Sequence, residues 1–163
     1  KYESEINYLK FSETTVSISD QAKEAESAYV YYKDIDTNSI QTVTTDDDSP
    51  EDTITATFKK RLVSRLNYTK ESEDVYSNKF NENESYRIDF ANKTFTYSNR
   101  SITYVYSWKG DNGSLGACQY DFINNSQTST CEDSTVDFIK RTKLFLQMEL
   151  YYCGLSLEKL QAE

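Results

Sequence analysis

Residues 86–108 decide the fold, and they read YRIDFANKTFTYSNRSITYVYSW. Large apolar side chains alternate with polar ones in three short runs, which are 86–90, 95–97 and 102–108. Alternation with a period of two is typical of a strand that buries one face. Short polar turn sequences, Asn92-Lys93 and residues 98–101, separate the runs. We therefore predict an antiparallel meander whose aromatic side chains share one face.

Further strands are predicted on both sides of this stretch. Downstream, the turn sequence at 110–113 precedes a fourth strand marked by Tyr120 and Phe122. Upstream, β-branched and aromatic runs within the first 45 residues predict several short strands, so that the β-rich part spans residues 5–123. Residues 69–85 are polar and are predicted to form a loop.

Residues 49–66 fit two structures. Ser49-Pro50 followed by two acids is typical of a helix N-terminus, and Ile54, Phe58 and Leu62 recur every four residues. The alternating threonines and apolar residues at 53–58 favour a strand instead. We predict a strand here. The alternative is an α+β fold in which a helix at about 49–66 packs on an antiparallel sheet.

The spacing of apolar residues changes near the C-terminus from alternation to a helical pattern. Apolar doublets recur at seven-residue intervals in residues 138–153, and Ser134 to Asp137 resembles a capping box. This pattern predicts a long amphipathic helix over about 134–153, ending near Gly154 and packing on the sheet.

Together these elements predict a single domain over residues 1–163 that is mainly β. The predicted fold is an antiparallel meander or barrel with a C-terminal helix, like small lipocalin-type carriers in architecture. The Gly-x-Trp of lipocalins is absent near the first strand, so no family is assigned. No internal repeat is recognised.

The composition argues against several classes of function. A net charge of −9 disfavours nucleic-acid binding, and no apolar run approaches the roughly 18 residues of a membrane span. The chain has no histidine and four glycines, which excludes histidine-based catalysis and glycine-rich phosphate loops. Asp34 to Ser39 has the oxygen spacing of a calcium loop but lacks the glycine at its sixth position. We therefore predict a non-enzymatic protein with no catalytic residues, no metal site and no cofactor.

Three cysteines predict one disulfide and one remaining thiol. Cys131 and Cys153 lie at opposite ends of the predicted helix, about 30 Å apart at 1.5 Å per residue. Cys118 is therefore the shared partner, with Cys131 preferred and Cys153 as the alternative. The third cysteine permits a covalent dimer without requiring one.

Six Asn-x-Ser/Thr sequons predict N-glycosylation and hence a secreted, extracellular protein. They lie between residues 67 and 126, at Asn67, Asn83, Asn92, Asn99, Asn112 and Asn124.

The tyrosine-rich face leads to two hypotheses about function. In the first, the protein carries a small amphipathic, neutral or cationic molecule in an aromatic-lined cavity. The predicted lining is Tyr97, Tyr104, Tyr106, Trp108 and Tyr120. In the second, it is a protein-recognition module, such as a surface antigen, adhesin, inhibitor or immunity protein, that uses exposed tyrosines and acidic loops.

Overall fold

The computed structural model describes residues 53–100 and 102–163. This part contains helix α1 (Ile54–Leu66), eight strands, helix α2 (Asp133–Tyr152) and helix α3 (Leu157–Ala162). The strands are β1 (Thr69–Lys70), β2 (Val75–Asn81), β3 (Glu84–Asp89), β4 (Thr94–Ser98), β5 (Thr103–Ser107), β6 (Asn112–Leu115), β7 (Cys118–Asp121) and β8 (Ser126–Gln127). The strands predicted in the first 45 residues, the possible calcium loop and the acidic run at 46–52 lie outside the described residues.

The eight strands form one antiparallel sheet in sequence order, each paired with the next. The predicted meander over 86–122 is therefore confirmed, as is a mainly β fold with a C-terminal helix. Within the described residues the sheet is open, since β1 pairs only with β2 and β8 only with β7. Closure into a barrel is not confirmed. Both edge strands are two residues long, which limits edge-to-edge pairing with other chains.

The strand predicted at residues 49–66 is wrong where the structure describes it, because residues 54–66 form α1. The Thr53 hydroxyl caps the helix by accepting from the Ala56 N–H at 3.0 Å. Phe58 and Leu62 are fully buried. Burying each such side chain contributes about 1.5–3 kcal/mol, whereas a β-branched residue in a helix costs at most about 0.7 kcal/mol. The free energy gained by burying apolar side chains spaced four residues apart therefore outweighs the local strand propensity of the β-branched residues.

The loop predicted at 69–85 is also wrong, since these residues form β1, β2 and the start of β3. The sequence hides β2 because its apolar residues do not alternate with polar ones: Val75 and Tyr76 are adjacent, and three polar residues separate them from Phe80. Its backbone pairs with β3, and Tyr76 lies opposite Ile88 in the register. The short strand β6 was likewise not predicted from the sequence.

The C-terminal helix is confirmed, with a different N-terminus. It begins at Asp133, and its cap residue Glu132 makes no side-chain capping bond, so the predicted capping box at Ser134 is wrong. It ends at Tyr152, with Cys153 as its C-cap residue, and Gly154 follows with φ 72°. A positive φ at this position favours glycine.

Helix α2 packs against the inner face of β4–β7. One inner row of the sheet contains Tyr76, Ile88, Phe95, Tyr106, Gly113 and Tyr120 in neighbouring strands. The glycine interrupts this row because the helix approaches most closely there. A Cβ at Gly113 would lie 2.2 Å from the Ile139 Cγ2 atom.

The end of the chain ties the helices together. The Glu163 carboxylate accepts hydrogen bonds from the backbone N–H groups of Ile54 and Thr55. Arg61 donates to the carbonyl of Cys153 at 2.5 Å. Helix α1 is therefore fixed both to α3 and to the C-terminus of α2, where carbonyls favour a cation.

Two turns at the same end of the sheet repeat each other. Residues 89–94 read DFANKT and residues 121–126 read DFINNS. In both turns one Asp oxygen accepts from the next two backbone N–H groups after the aromatic residue. The other oxygen accepts from an Asn side chain at 2.7 Å. The residue after that Asn has a positive φ, 57° at Lys93 and 51° at Asn125. The two turns are therefore equivalent in sequence, hydrogen bonding and backbone conformation.

Candidate binding surfaces of the sheet

The five predicted ligand-binding rings lie together on the inner face of the sheet. They are 0–5% exposed and belong to one buried cluster, which contains Tyr97, Tyr104, Tyr106, Trp108 and Tyr120. The sequence-based prediction that these rings point to one side is borne out by their burial. None of the tyrosines in residues 53–100 and 102–163 is exposed, so the exposed tyrosines expected for a recognition module are not found there.

Side chains of α2 contact these rings directly. The Phe145 ring stacks on the Tyr86 ring, with the two ring centroids 4.1 Å apart. The centroid of the Phe138 ring lies 5.6 Å from that of Tyr104. Phe122, from the turn after β7, packs edge-on against Tyr106 at 5.6 Å and Tyr120 at 4.9 Å. The inner face therefore acts as core, with aromatic contacts between the sheet, the helix and a turn.

Two tyrosine hydroxyls of this face have carboxylate partners. Tyr97 donates to Glu84 at 3.0 Å, and Tyr106 donates to Asp111 at 2.6 Å. Burial raises the pKa of Tyr104 to about 12, against the opposing effect of Arg141. Burial followed by the Asp111 carboxylate also raises the pKa of Tyr106, so both phenols stay protonated at neutral pH.

A charged cluster that the sequence did not indicate joins the sheet to α2. Lys143 donates to Asp111 at 3.0 Å, and both side chains are largely buried. The Tyr106 hydroxyl accepts from Gln161 of α3 at 3.2 Å. No local motif identifies this set, because its members come from three elements that meet only in the folded chain. Every group in it has a partner, which indicates a structural role.

The outer face of the same strands has a different composition. Its central row contains Ser77, Arg87, Thr96, Val105, Ser114 and Gln119, which are successive partners across six strands. A second row contains Lys79, Ser85, Ser98 and Thr103. None of these residues is buried. The alternation in the sequence contained this signal, since serine and threonine occupy the positions between the rings.

The charge of this face differs from that of the whole chain. The protein has a net charge of −9, yet Arg87 and Lys79 are exposed among the hydroxyls of the outer face. The nearby carboxylates of Asp89 and Asp121 accept hydrogen bonds within the two repeated turns. The outer face of β2–β5 is therefore hydroxyl-rich and weakly basic.

A polar cleft of about 480 Å³ lies where β6, β7 and β8 meet. Asn112, Ser114, Gln119 and the residues from Ser126 to Thr128 contribute hydroxyl and amide groups, and Gly110 and Ile123 lie at its margin. Asn112 pairs with Asp121 and Ser114 with Gln119, so adjacent strands place these groups side by side. The sequence did not predict this cleft.

The six sequon asparagines are all at least partly accessible. Asn99 is half-buried and the other five are exposed. Asn67 ends α1 with φ 59°. Asn83, Asn92, Asn99 and Asn124 lie in connections between strands, whereas Asn112 begins β6. Accessibility is what glycosylation requires, although Asn92 and Asn124 also serve the repeated turns through their hydrogen bonds to aspartate.

The predicted disulfide between Cys118 and Cys131 is confirmed, with Cα atoms 4.8 Å apart. It fixes the segment before α2 to β7. Cys153 is a free, fully buried thiol. Burial, followed by the Glu149 carboxylate, raises the pKa of Cys153, so the thiol is neutral and unreactive. A covalent dimer through Cys153 would require this part of the core to open.

Within residues 53–100 and 102–163, no helix is long and apolar enough to span a membrane. The same residues contain no cluster of three or more cysteine or acidic side chains suited to a metal ion. In comparisons with known proteins, no family model, no curated protein and no solved structure matches this chain.

Proposed function

We propose that the protein is a secreted, non-enzymatic recognition module that binds another protein through the outer face of its sheet. The observation that carries this proposal is the contrast between the two faces. Helix α2 covers the tyrosine-rich face, while the outer face presents Arg87 and Thr103 to solvent. A surface of short polar side chains binds with little loss of side-chain entropy, because serine and threonine have few rotamers to fix.

Arg87 is the residue from which we expect the largest contribution to binding. It lies in the central outer row, between Ser77 and Thr96, and it is exposed. Arginine is among the residues most enriched at the energetic centres of protein interfaces. A basic centre in an acidic protein favours a partner with a neutral or acidic surface.

The sheet edges are poor alternatives for recognition. Binding by strand addition needs an exposed strand long enough for several backbone hydrogen bonds. The edge strands in the described part, β1 and β8, are two residues each. The face of the sheet is therefore the better binding surface.

Two observations support the secreted part of the proposal. The Cys118–Cys131 disulfide is typical of proteins that mature in an oxidising compartment. The six sequon asparagines are accessible to solvent, as glycosylated sites must be in a folded protein.

The test is capture of partners from the extracellular fluid of the source organism by immobilised full-length protein, with Arg87→Glu as the key variant. We expect the dissociation constant of a captured protein to rise at least tenfold in Arg87→Glu. Lys109→Glu is the matched control, because Lys109 is exposed in the β5–β6 turn and the change in net charge is the same. Equal binding by the two variants would contradict the proposal.

The carrier hypothesis is the second candidate, and the cleft of about 480 Å³ is the observation that favours it. An aromatic-lined cavity and a closed lipocalin-like barrel would need α2 to move and further strands to join the sheet. Native mass spectrometry of protein from its natural source separates the two functions. A retained molecule of a few hundred daltons would favour the carrier.

A further inference from the structure

Asn112 differs from the other five sequon asparagines in its position. It begins strand β6, on the outer face of the sheet, and it lines the polar cleft. Ser114, the hydroxyl residue of the same sequon, lines that cleft as well. Side chains two residues apart on a strand point to the same side, which explains why both ends of this sequon face one cleft.

Two glycines leave room for this arrangement. A Cβ at Gly110 would lie 2.6 Å from the Asn112 Nδ2 atom, so a side chain there would displace the amide. Gly113, the middle residue of the sequon, faces inward against Ile139. The absence of a side chain at Gly110 therefore leaves space for the Asn112 amide, while Gly113 allows the middle of the sequon to pack closely against α2.

The chemistry of the cleft matches a neutral sugar. Amide groups of Gln119 and Gln127 and hydroxyls of Ser114 and Ser126 can donate and accept hydrogen bonds. Among the described residues, no lysine or arginine lines the cleft, and its carboxylate, Asp121, already accepts three hydrogen bonds from the following turn. Ile123 is 69% exposed at the margin, where it offers an apolar surface to the C–H face of a sugar ring.

We infer that this cleft holds the first sugars of a glycan carried by Asn112, an inference that rests on the proposed secretion and glycosylation. The glycan is attached when Asn112 Nδ2 displaces the diphosphate of an activated glycosyl donor at the anomeric carbon. Nδ2 loses one of its two protons in that step and keeps the other as a hydrogen-bond donor. The attached N-acetylglucosamine carries the hydroxyl and acetamido groups that the amides and hydroxyls of the cleft can bind.

The cleft suits a tethered sugar better than a free one. Its walls are short polar side chains on an exposed surface, and such open polar sites bind free ligands weakly because association costs translational and rotational freedom. A sugar attached at Asn112 has already lost that freedom and is present at high effective concentration. The same chemistry would also accept a sugar from another molecule, which the experiment distinguishes.

The experiment uses the full chain expressed in a secretory eukaryotic host, with site occupancy mapped by peptide mass spectrometry. The folded protein is treated with an endoglycosidase that cuts between the two core N-acetylglucosamines. We expect release at Asn112 to be at least tenfold slower than at Asn83, which lies in the β2–β3 turn. After denaturation and reduction the two sites should be cut at equal rates.

Two variants test the role of the cleft. Gln119→Ala combined with Ile123→Ser should raise the native cleavage rate at Asn112 to that at Asn83. Asn112→Gln should lower the melting temperature of the glycosylated protein more than Asn83→Gln does.

Equal native rates at the two sites, or an unoccupied Asn112 beside occupied sequons, would overturn the inference and leave the proposed function standing. Equal native rates at the two sites together with binding of free chitobiose to the cleft of unglycosylated protein, seen as NMR shifts of Gln119 and Gln127, would replace it with a site for a sugar from another molecule. Absence of glycan at all six sequons would overturn both the inference and the glycosylated part of the proposed function.

Discussion

The two faces of the meander share the same strands and differ in nearly every physical property. Residues 95 and 97 of β4 are fully buried rings, while Thr96 between them lies on the other side and remains accessible. The inner face meets α2 and holds the fold together through ring contacts. The outer face makes hydrogen bonds within the sheet and contributes little apolar burial. The inner face carries the stability of the fold, and we propose that recognition belongs to the outer face, so substitutions on the two sides should separate these properties.

The largest difference is expected from removing an inner ring. Phe145→Ala deletes a fully buried side chain that stacks on Tyr86 and lies 5.8 Å from Phe95. The cavity left behind should lower the free energy of unfolding by about 3–5 kcal/mol. Thr96→Ala on the outer face should change it by less than about 0.5 kcal/mol. Urea unfolding followed by tyrosine fluorescence measures the free energy of unfolding of both variants. Comparable decreases in the two variants would contradict the assignment of stability to the inner face.

The disulfide gives the next largest effect. It joins Cys118 of the inner face to Cys131 across 13 residues. Replacing both cysteines by serine should cost about 3 kcal/mol, because closing a loop of this length restricts the unfolded chain by that amount. Chemical denaturation with and without reductant checks the value. Reductant should have little effect on the double variant, and Cys153→Ser serves as the control for the remaining thiol.

Gly113 tests how closely the helix approaches the inner face. Gly113→Ala places a methyl group against Ile139. The resulting overpacking should lower the free energy of unfolding by about 1–3 kcal/mol. Combining it with Ile139→Ala removes the clashing Cγ2 atom. A double-mutant cycle should therefore show coupling, with the alanine at 113 costing less in the double variant. Additive effects would contradict the close approach.

The smallest effect concerns the repeated turns and depends on pH. Burial raises the pKa of Asp89, but the hydrogen bonds from Asn92 and Ala91 and the charge of Arg87 outweigh it, so the net pKa is below 3.8. Because the pKa of Asp89 is lower in the folded protein than in the unfolded chain, the carboxylate stabilises the fold at pH values above the unfolded-state pKa. This contribution is lost as the pH falls through the folded-state pKa. Asp89→Asn should therefore destabilise at pH 7 and lose that effect at strongly acidic pH.

Asp121→Asn is the matched variant for that experiment, since the side-chain hydrogen bond from Asn124 lowers the pKa of Asp121 in the same way. Urea unfolding at several pH values compares the two. The two variants should show the same sign of pH dependence, because the hydrogen bonds around the aspartates are the same. Opposite signs would show that the repeated turns are not electrostatically equivalent.

Much of the sheet was predictable because strand alternation is a local property. The meander, the common face of the rings and the long C-terminal helix each follow from side-chain spacing over fewer than 25 residues. Elimination identified Cys118 as one partner of the disulfide, since a helix separates Cys131 from Cys153, but it left Cys131 and Cys153 both open as the other partner, with Cys131 preferred. The predictions at 54–66 and 69–85 failed because tertiary contacts decided them: α1 is fixed by burial of Phe58 and Leu62, and β2 by pairing with β3.

For the candidate sites, too, some features follow from local sequence and others only from tertiary contacts. The sequence predicted that the rings share one face, and only the position of α2 placed them in packed contacts. The outer hydroxyl rows follow from strand alternation, but their alignment across six strands requires the register. The polar cleft and the Asp111–Lys143 pair bring together residues from separate elements.

The sequence by itself determined that residues 86–108 form strands and which side chains of β3–β5 share a face, because those features depend on neighbours a few residues away. The tertiary structure alone decided which face is covered, where the sheet ends and which sequon faces a cleft. Those features depend on how helices and strands that are distant in the sequence pack together. Burial and surface shape arise only when such segments meet.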